Sequence, residues 1–538
     1  MERSFFSLIY KTPQQHHPLS FCNIEETIKQ LDAGWLLYAR GIDWTSYVSD
    51  DVETIRYREQ AFADLMALPD LSALCSECAE TLESIDALRK VKESGQTNET
   101  MLYSIKEVEL YLDFINRLHE GLGALEGQLS SEAFLTLAKR VKEEWESPEH
   151  QALRKGVSTL SHKISGIKSL TVGINLDANL TPYESGILSV NEEYFHSGDL
   201  VSRFLRMEEK GEMTTLAPLY VTGRAFTPRE AAALNISVGD ALKKIVSSGL
   251  RGWQAMLKKY FAMNTAPWLA LSTEFRYLAS GAQIIGRLRE LKLPLCTPEA
   301  RPKEEKCFAA EGLYNPAVAE KLRQKDPKAQ IVLNDLSFDE QGMLYVLTGP
   351  NRGGKSVILQ AAGIAQIMFQ LGLPVAAKSA KISPVERIYT HFATFSDSTV
   401  GKGRLGEECA RLKDMFSTLG EYSLVLMDET LSSTDSLEAA AIGKELLLAL
   451  SAFGCRGIFA THIHELAGSV QELNALPSCR SKIDNLVAGV AEGDKRSYKI
   501  RRTLPDGKSY AKDIAKRYGL SFEDLMAEKH KRTNAEQG

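Results

Sequence analysis

Met343-Leu-Tyr-Val-Leu-Thr-Gly-Pro-Asn-Arg-Gly-Gly-Lys-Ser356 joins a short apolar run to a glycine-rich turn and then to a helical pattern over 355–371. Residues 349–356 fit G-x-x-x-x-G-K-[ST], and a strand before it and a helix after it give that spacing its meaning. Such a loop presents backbone N–H groups and a helix N-terminus to phosphates. The pattern assigns phosphate binding to Gly349, Pro350, Asn351, Arg352, Gly353, Gly354, Lys355 and Ser356. Within it, Lys355 is expected to reach the β- and γ-phosphates and the Ser356 hydroxyl to ligate Mg²⁺.

The neighbouring chain has the rhythm of an α/β nucleotide-binding domain. From about 307 strands and helices alternate: Tyr422-Ser-Leu-Val-Leu-Met reads as a buried strand, 436–453 as a helix and Gly457-Ile-Phe-Ala as a strand. The first of these strands ends in Asp428-Glu429, which brings two carboxylates to the tip of a parallel sheet, where such folds bind ligands. Asp428 is expected to hold Mg²⁺ through water, and Glu429 to orient or deprotonate an attacking water. Phe459-Ala-Thr-His462-Ile-His464-Glu465-Leu lacks the H-E-x-x-H spacing of a zincin. His462, just past a strand end, is read as a γ-phosphate sensor and His464 as its structural support.

Toward the N-terminus the pattern becomes helical. Segments 23–40, 51–67, 71–92, 100–122 and 130–148 carry apolar residues at three- and four-residue spacing. Near 168 the periodicity switches: Leu170-Thr-Val-Gly-Ile-Asn-Leu-Asp alternates, Leu180–Gly186 reads as a turn and Ile187-Leu-Ser-Val as a return strand. Helical spacing resumes near 229, and the proline- and charge-rich stretch 292–306 reads as a domain boundary. The expected layout is a helical core and lever over 1–167, a β-containing clamp-like insert over 168–228, a returning helical lever over 229–300 and a P-loop ATPase domain over 301–538.

Composition narrows the class. The 538 residues are 44% hydrophobic and 25% charged, ordinary globular usage that excludes a collagen or a mainly disordered chain. The net charge of −6 excludes a uniformly basic nucleic-acid coat but not a local basic face. Eight cysteines in this length make no disulfide framework, and Cys75 and Cys78 read as two thiols on one helical face. No apolar run approaches the ~18 residues of a membrane span. A cytoplasmic, non-membrane protein is the expectation.

Thr348-Gly-Pro-Asn-Arg-Gly-Gly-Lys-Ser, Glu421-Tyr-Ser-Leu-Val-Leu-Met-Asp-Glu and Phe459-Ala-Thr-His-Ile-His-Glu-Leu together resemble the MutS family of DNA mismatch repair ATPases, relatives of the ABC ATPases. The likeness is close across about 345–467 and includes Gly372-Leu-Pro-Val-Ala-Ala-Lys-Ser-Ala-Lys-Ile-Ser-Pro-Val-Glu-Arg-Ile. A weaker match continues through Tyr498-Lys-Ile and Gly507-Lys-Ser-Tyr to the C-terminus. The resemblance implies an Mg²⁺-dependent ATPase with Glu429, Lys355 and His462 at its centre. It further implies a homodimer in which each ATP site takes a signature loop from the partner.

That loop corresponds to Asp397-Ser-Thr-Val-Gly-Lys-Gly-Arg-Leu-Gly-Glu-Glu, with Gly401, Gly403 and Arg404 as its contact residues. Here the sequence departs from the family: Gly403 stands where a nucleotide-contacting serine is usual, and Thr430–Ser436 differs from the usual segment after Asp-Glu. The core-like helices begin almost at once, so the resemblance implies a MutS-like ATPase without the usual mismatch reader. The one F-x-E, Phe338-Asp-Glu340, reads as chance. Positive charge at Arg154, Lys155, Lys163 and Lys168, and at Lys243, Lys244, Arg251, Lys258 and Lys259 with Trp253 and Tyr260 between, is a candidate phosphate-contacting face. Distorted or branched duplex DNA is the first partner. RNA or a ribosome, or an ATP-driven switch for a protein partner, are the alternatives.

Overall fold

The computed structural model describes residues 6–12, 24–37, 42–93, 100–164, 169–176, 178–179, 182–191, 253–263, 265–350, 353–392, 404–490, 496–504 and 523–526. The chain forms two compact units. One comprises Met1–Leu68, Ser131–Ala133 and Tyr277–Gly538, and the other Pro69–Ser130 and Phe134–Arg276.

The first unit is built on two sheets. Its six-stranded sheet contains β6 (Leu344–Thr348), β8 (Arg387–Phe392), β9 (Ser423–Asp428), β10 (Arg456–Ala460), β11 (Ile483–Val490) and β12 (Arg496–Arg502), in the order β12-β11-β6-β10-β9-β8. All neighbours are parallel except β11 and β12. Every residue of β6, β9 and β10 is buried, as expected of parallel strands covered on both faces. Alternate residues serve opposite faces. Leu344, Val346, Val425, Met427 and Phe459 pack with Leu412, Leu447 and Leu466, which come from helices Arg404–Thr418, Ser436–Phe453 and His464–Gly468. The P-loop helix Lys355–Gln370 takes the other face, where a Cβ on Gly363 would lie 3.0 Å from Leu426. The second sheet, in the order β3-β7-β4-β5, holds β3 (Glu299–Ala300), β4 (Phe308–Leu313), β5 (Asn334–Phe338) and β7 (Ser379–Ile382).

The first helices belong to this P-loop-bearing unit, a division that cuts across the boundaries at 167 and 300 read from sequence. The reason is long-range packing that local periodicity does not encode. Thr27 donates to the Ile388 carbonyl of β8 at 3.3 Å, and Leu31 fills the space left by Gly363. Arg58, fully buried, donates to the Ile9 carbonyl and lies over the Tyr10 and Tyr277 rings. Gly372, with φ +73, passes so close that a Cβ would meet Arg58 Cβ at 2.4 Å. The stretch 292–306 is tied in as well: Cys296 exchanges backbone hydrogen bonds with Val375, and β3 pairs with β7. The helix expected over 23–40 is interrupted after Gln30. There Asp32 takes φ 53 and the Ala33 N–H bonds the Ile28 carbonyl, a left-handed C-terminal cap.

The second unit carries helices Pro69–Glu93, Thr100–Ala124 and Pro148–Ile164, and most of Glu132–Glu146. Pro148 starts a new helix, so the segment expected to run to 148 ends at Glu146. Cys75 and Cys78 are buried on one face of Pro69–Glu93, where burial pushes both thiols up. The alternation near 170 is an antiparallel hairpin of β1 (Ser169–Leu176) and β2 (Pro182–Asn191). The expected turn at 180–186 is shorter, because Ser185 and Gly186 pair with Ile174 and Gly173 and extend the strand back to Pro182. The rest of the clamp-like segment, 192–228, and the start of the returning lever, 229–252, lie outside the described residues.

Candidate functional site

The parallel register places three strand ends side by side. Leu347 of β6 is level with Ala460 of β10, and Ala460 with Asp428 of β9. The residues that follow, Gly349, Thr461–His462 and Glu429, therefore emerge on one edge of the sheet. This edge is the C-terminal one, where open parallel sheets bind ligands.

The P-loop begins at Gly349, whose φ of 143 and closeness to β11 admit no side chain; a Cβ would sit 2.6 Å from Ala488 Cβ. Gly354 has φ 95 and caps the P-loop helix, which starts at Lys355. Lys355 is 5% exposed and its ammonium donates to the Gly349 carbonyl at 2.9 Å, with Glu429 Oε1 at 3.6 Å. Asn351 and Arg352 lie outside the described residues.

Asp428 is buried, and its carboxyl bonds the Ser356 hydroxyl. Burial raises its pKa, the Ser356 bond opposes that, and its Oδ1 has no hydrogen-bond partner. A buried carboxylate oxygen left open beside a hydroxyl is the donor set of an Mg²⁺ site, since Mg²⁺ takes one or two protein oxygens and completes its shell with phosphate and water. The residues present fit the ion.

Glu429 follows directly, with φ 52, and Leu431 has φ 65. Left-handed backbone at two non-glycine residues costs of order 1–3 kcal/mol each and persists only when the surroundings fix it. Here they do. The Glu429 N–H bonds the Ala460 carbonyl at 3.0 Å, and the Thr430 hydroxyl meets His391 Nδ1 at 3.1 Å. The Leu431 N–H bonds the Glu408 carboxylate at 2.7 Å. The Glu429 side chain is held by His462 Nδ1 at 2.6 Å. Burial pushes the Glu429 carboxyl up, but the His462 bond and the Lys355 charge outweigh it and leave the group below its ordinary value. The same bond raises His462. The structure thus places Lys355, Ser356, Asp428, Glu429 and His462 together at this sheet edge. His462 bonds Glu429 in addition to any phosphate. His464 is exposed at the start of its short helix, and the support expected of it falls to Thr461, whose buried hydroxyl accepts from the Ile463 N–H at 3.0 Å.

The P-loop opens into a cavity of about 700 Å³ lined by Tyr314, Val318, Leu322, Ile331, Val332 and Tyr498 among others. Tyr498 was missed as a site residue. It lies on β12, an edge strand of the six-stranded sheet, and has φ 52. Asn334 fixes it, donating to the Tyr498 carbonyl at 3.1 Å and accepting from the Ile500 N–H at 2.8 Å. A Cβ on Gly354 would lie 3.6 Å from the Tyr498 ring. A lone Asn at the start of a strand gives no sequence signal for this role.

Of the candidate polymer contacts, Lys258 and Lys259 are exposed on the helix 253–262, whereas Trp253 and Tyr260 are buried at 1% exposure each. The two aromatics are core residues rather than stacking platforms; Tyr260 donates to buried Glu107 at 3.0 Å. Arg154 lies over the Trp145 ring at 4.3 Å. Lys163 has no described side chain, and Lys168, Lys243, Lys244, Arg251, Gly401 and Gly403 lie outside the described residues, as does the side chain of Arg404. Phe338 of the chance F-x-E is a buried end of β5. Among the described residues no helix is long and apolar enough to cross a membrane.

The MutS domain V model matches residues 345–527, and the MutS2 N-terminal domain model matches residues 50–291. The protein named Endonuclease MutS2 of Thermus thermophilus is 31% identical over 194 residues, which cover 36% of this chain and 25% of that one. The DNA mismatch repair protein MutS of Prochlorococcus marinus is 32% identical over 212 residues, 39% of this chain and 22% of its own. That of Synechococcus sp. is 31% identical over 232 residues, 42% and 25% respectively. The alignments therefore span about a quarter of the length of these relatives. The helical part read as core and lever is matched by the MutS2 N-terminal domain and the site by MutS domain V, and with both on one chain the protein belongs to the MutS family.

Proposed function

We propose that this protein is an Mg²⁺-dependent ATPase whose nucleotide cycle opens and closes a dimeric clamp on distorted or branched DNA, in repair or recombination. The observation that carries the catalytic part is the joint placement of Lys355, Ser356, the open oxygen of Asp428 and the His462-held Glu429 at one sheet edge. Gly353, Gly354 and the start of the P-loop helix offer backbone N–H groups to the phosphates, and Lys355 exchanges the Gly349 carbonyl for them. Tyr498, Val332 and Leu322 line the space for the rest of the nucleotide. Ser356 and Asp428 would hold Mg²⁺, which would neutralise charge on the phosphate oxygens. Glu429, kept ionised, accepts the proton of the attacking water, and His462 keeps it aimed.

The dimer, with Gly401, Gly403 and Arg404 reaching the partner's nucleotide, is supported by the resemblance of that segment to the family's signature loop. DNA as the polymer is supported by the names of the relatives, DNA mismatch repair protein MutS among them. The test is salt-resolved binding of ATP-loaded Glu429→Gln protein to homoduplex, mismatched, four-way-junction and single-stranded DNA, structured RNA and ribosomes. Tight binding to a DNA structure with a steep salt slope is expected, because each neutralised phosphate releases counterions. Binding to RNA or ribosomes alone, or to nothing in the panel, would overturn the DNA assignment. Lys355→Ala should abolish nucleotide binding.

A further inference from the structure

The turn after Glu429 is tied to a carboxylate that the mechanism above does not use. Glu408 is the last residue of the signature segment quoted above, lies one turn into the helix Arg404–Thr418 and is 6% exposed. Both of its oxygens are engaged in the same turn. Oε1 accepts from the Leu431 N–H at 2.7 Å, and Oε2 accepts from the Ser433 hydroxyl at 2.9 Å. Between the two ends of that turn, Leu431 is fully buried with φ 65. A buried carboxylate that accepts two hydrogen bonds from one turn holds it in a conformation its residues would not adopt alone.

We propose that Glu408 is a positioning residue for Glu429. It clamps the 431–433 turn and so fixes the left-handed backbone from which the Glu429 carboxylate projects toward His462 and Lys355. The helix that carries the end of the signature segment is thereby bonded, within one chain, to the turn that follows the residue proposed to take the proton from water. A shift of that helix alters the aim of Glu429 without touching the phosphate loop. This inference rests on the ATPase reading given above.

Three variants test it: Glu408→Ala, which removes both acceptors; Glu408→Gln, whose amide can accept from Leu431 and donate to a reoriented Ser433 hydroxyl; and Ser433→Ala, which removes one bond at an exposed site. Two readouts are needed. One is hydrogen exchange of peptides over 429–433 in nucleotide-free protein, and the other is ATP turnover alongside directly measured nucleotide affinity. Glu408→Ala should speed exchange at Leu431 and lower kcat by about ten- to a hundred-fold, with nucleotide affinity within about two-fold of wild type, because a misaimed catalytic group costs rate rather than binding. Glu408→Gln should stay within about three-fold of wild type in both readouts.

Faster exchange in Glu408→Ala with kcat unchanged would overturn the proposal. So would equal losses of kcat and nucleotide affinity, or a Glu408→Gln protein as slow as Glu408→Ala. If Glu408→Ala does not fold, Ser433→Ala must lower kcat at constant nucleotide affinity, and wild-type behaviour of that variant refutes the role. A wild-type protein without ATP turnover refutes the ATPase reading itself. Turnover in wild type that is untouched by these substitutions refutes only the positioning role.

Discussion

Replacing His462 by alanine removes the 2.6 Å hydrogen bond to Glu429 and leaves that carboxylate with Lys355 at 3.6 Å as its charged neighbour. A hydrogen bond to a charged group contributes about 1.5–3 kcal/mol net. The His462 side chain is 53% exposed, so solvent screening brings the figure down to about 1–1.5 kcal/mol. At 1.36 kcal/mol per decade, the expected loss is roughly five- to ten-fold in kcat. The nucleotide contacts of the P-loop are not involved, so nucleotide affinity should stay within about two-fold. Steady-state phosphate release, paired with direct titration of a fluorescent ATP analogue, separates the two quantities. His462→Asn, whose amide nitrogen can stand in for Nδ1, should recover part of the rate. Unchanged kcat in His462→Ala would refute the idea that this bond aims Glu429. A loss confined to nucleotide affinity would also refute it and return His462 to a purely phosphate-sensing role.

Gly349→Ala places a Cβ 2.6 Å from Ala488 at a φ of 143; left-handed strain and overpacking together should cost about 2–4 kcal/mol, seen as a lower Tm and at least ten-fold weaker nucleotide binding. In the helical unit, His150 is fully buried, and neither ring nitrogen has a hydrogen-bond partner. Burial, then Arg154 and His119, lower its pKa from 6.5 to about 4, so the fold disfavours the proton. The stability this gives is intact above the ordinary value of 6.5 and is lost as pH falls from there toward 4. The loss approaches about 3 kcal/mol, and His150→Leu should abolish that part of the acid dependence in chemical-denaturation curves. Lys258→Ala combined with Lys259→Ala should reduce the slope of log K against log salt for DNA by about 1.8 if both lysines contact phosphates, and leave it unchanged if they only face solvent.

The candidate site was legible because its chemistry is local in sequence. Gly349–Ser356, Asp428-Glu429 and His462 each sit at the end of an apolar run, and the parallel register of β6, β10 and β9 brings those ends together. The hairpin at 169–191 was legible by its period-2 alternation, though its turn was placed too late. What sequence did not disclose depends on contacts between distant segments. The attachment of residues 1–68 to the P-loop unit rests on Thr27, Leu31 and Arg58 meeting partners some three hundred residues away or, for Arg58, aromatic rings from two separate segments. Tyr498 takes its left-handed backbone from hydrogen bonds to Asn334, and Glu408 is one acid among several on an amphipathic helix until the turn it clamps is seen. Trp253 and Tyr260 were read beside lysines as a nucleic-acid face because spacing alone does not say which way a helix turns its aromatics.

The central claim is that Glu429 activates water at a P-loop site that binds ATP without it. The direct measurement is ATP binding and single-turnover hydrolysis by Glu429→Gln beside wild type. Glu429→Gln should keep wild-type nucleotide affinity with hydrolysis slowed by at least about a hundred-fold, the effect of losing a positioned general base. Hydrolysis at the wild-type rate in Glu429→Gln would contradict it.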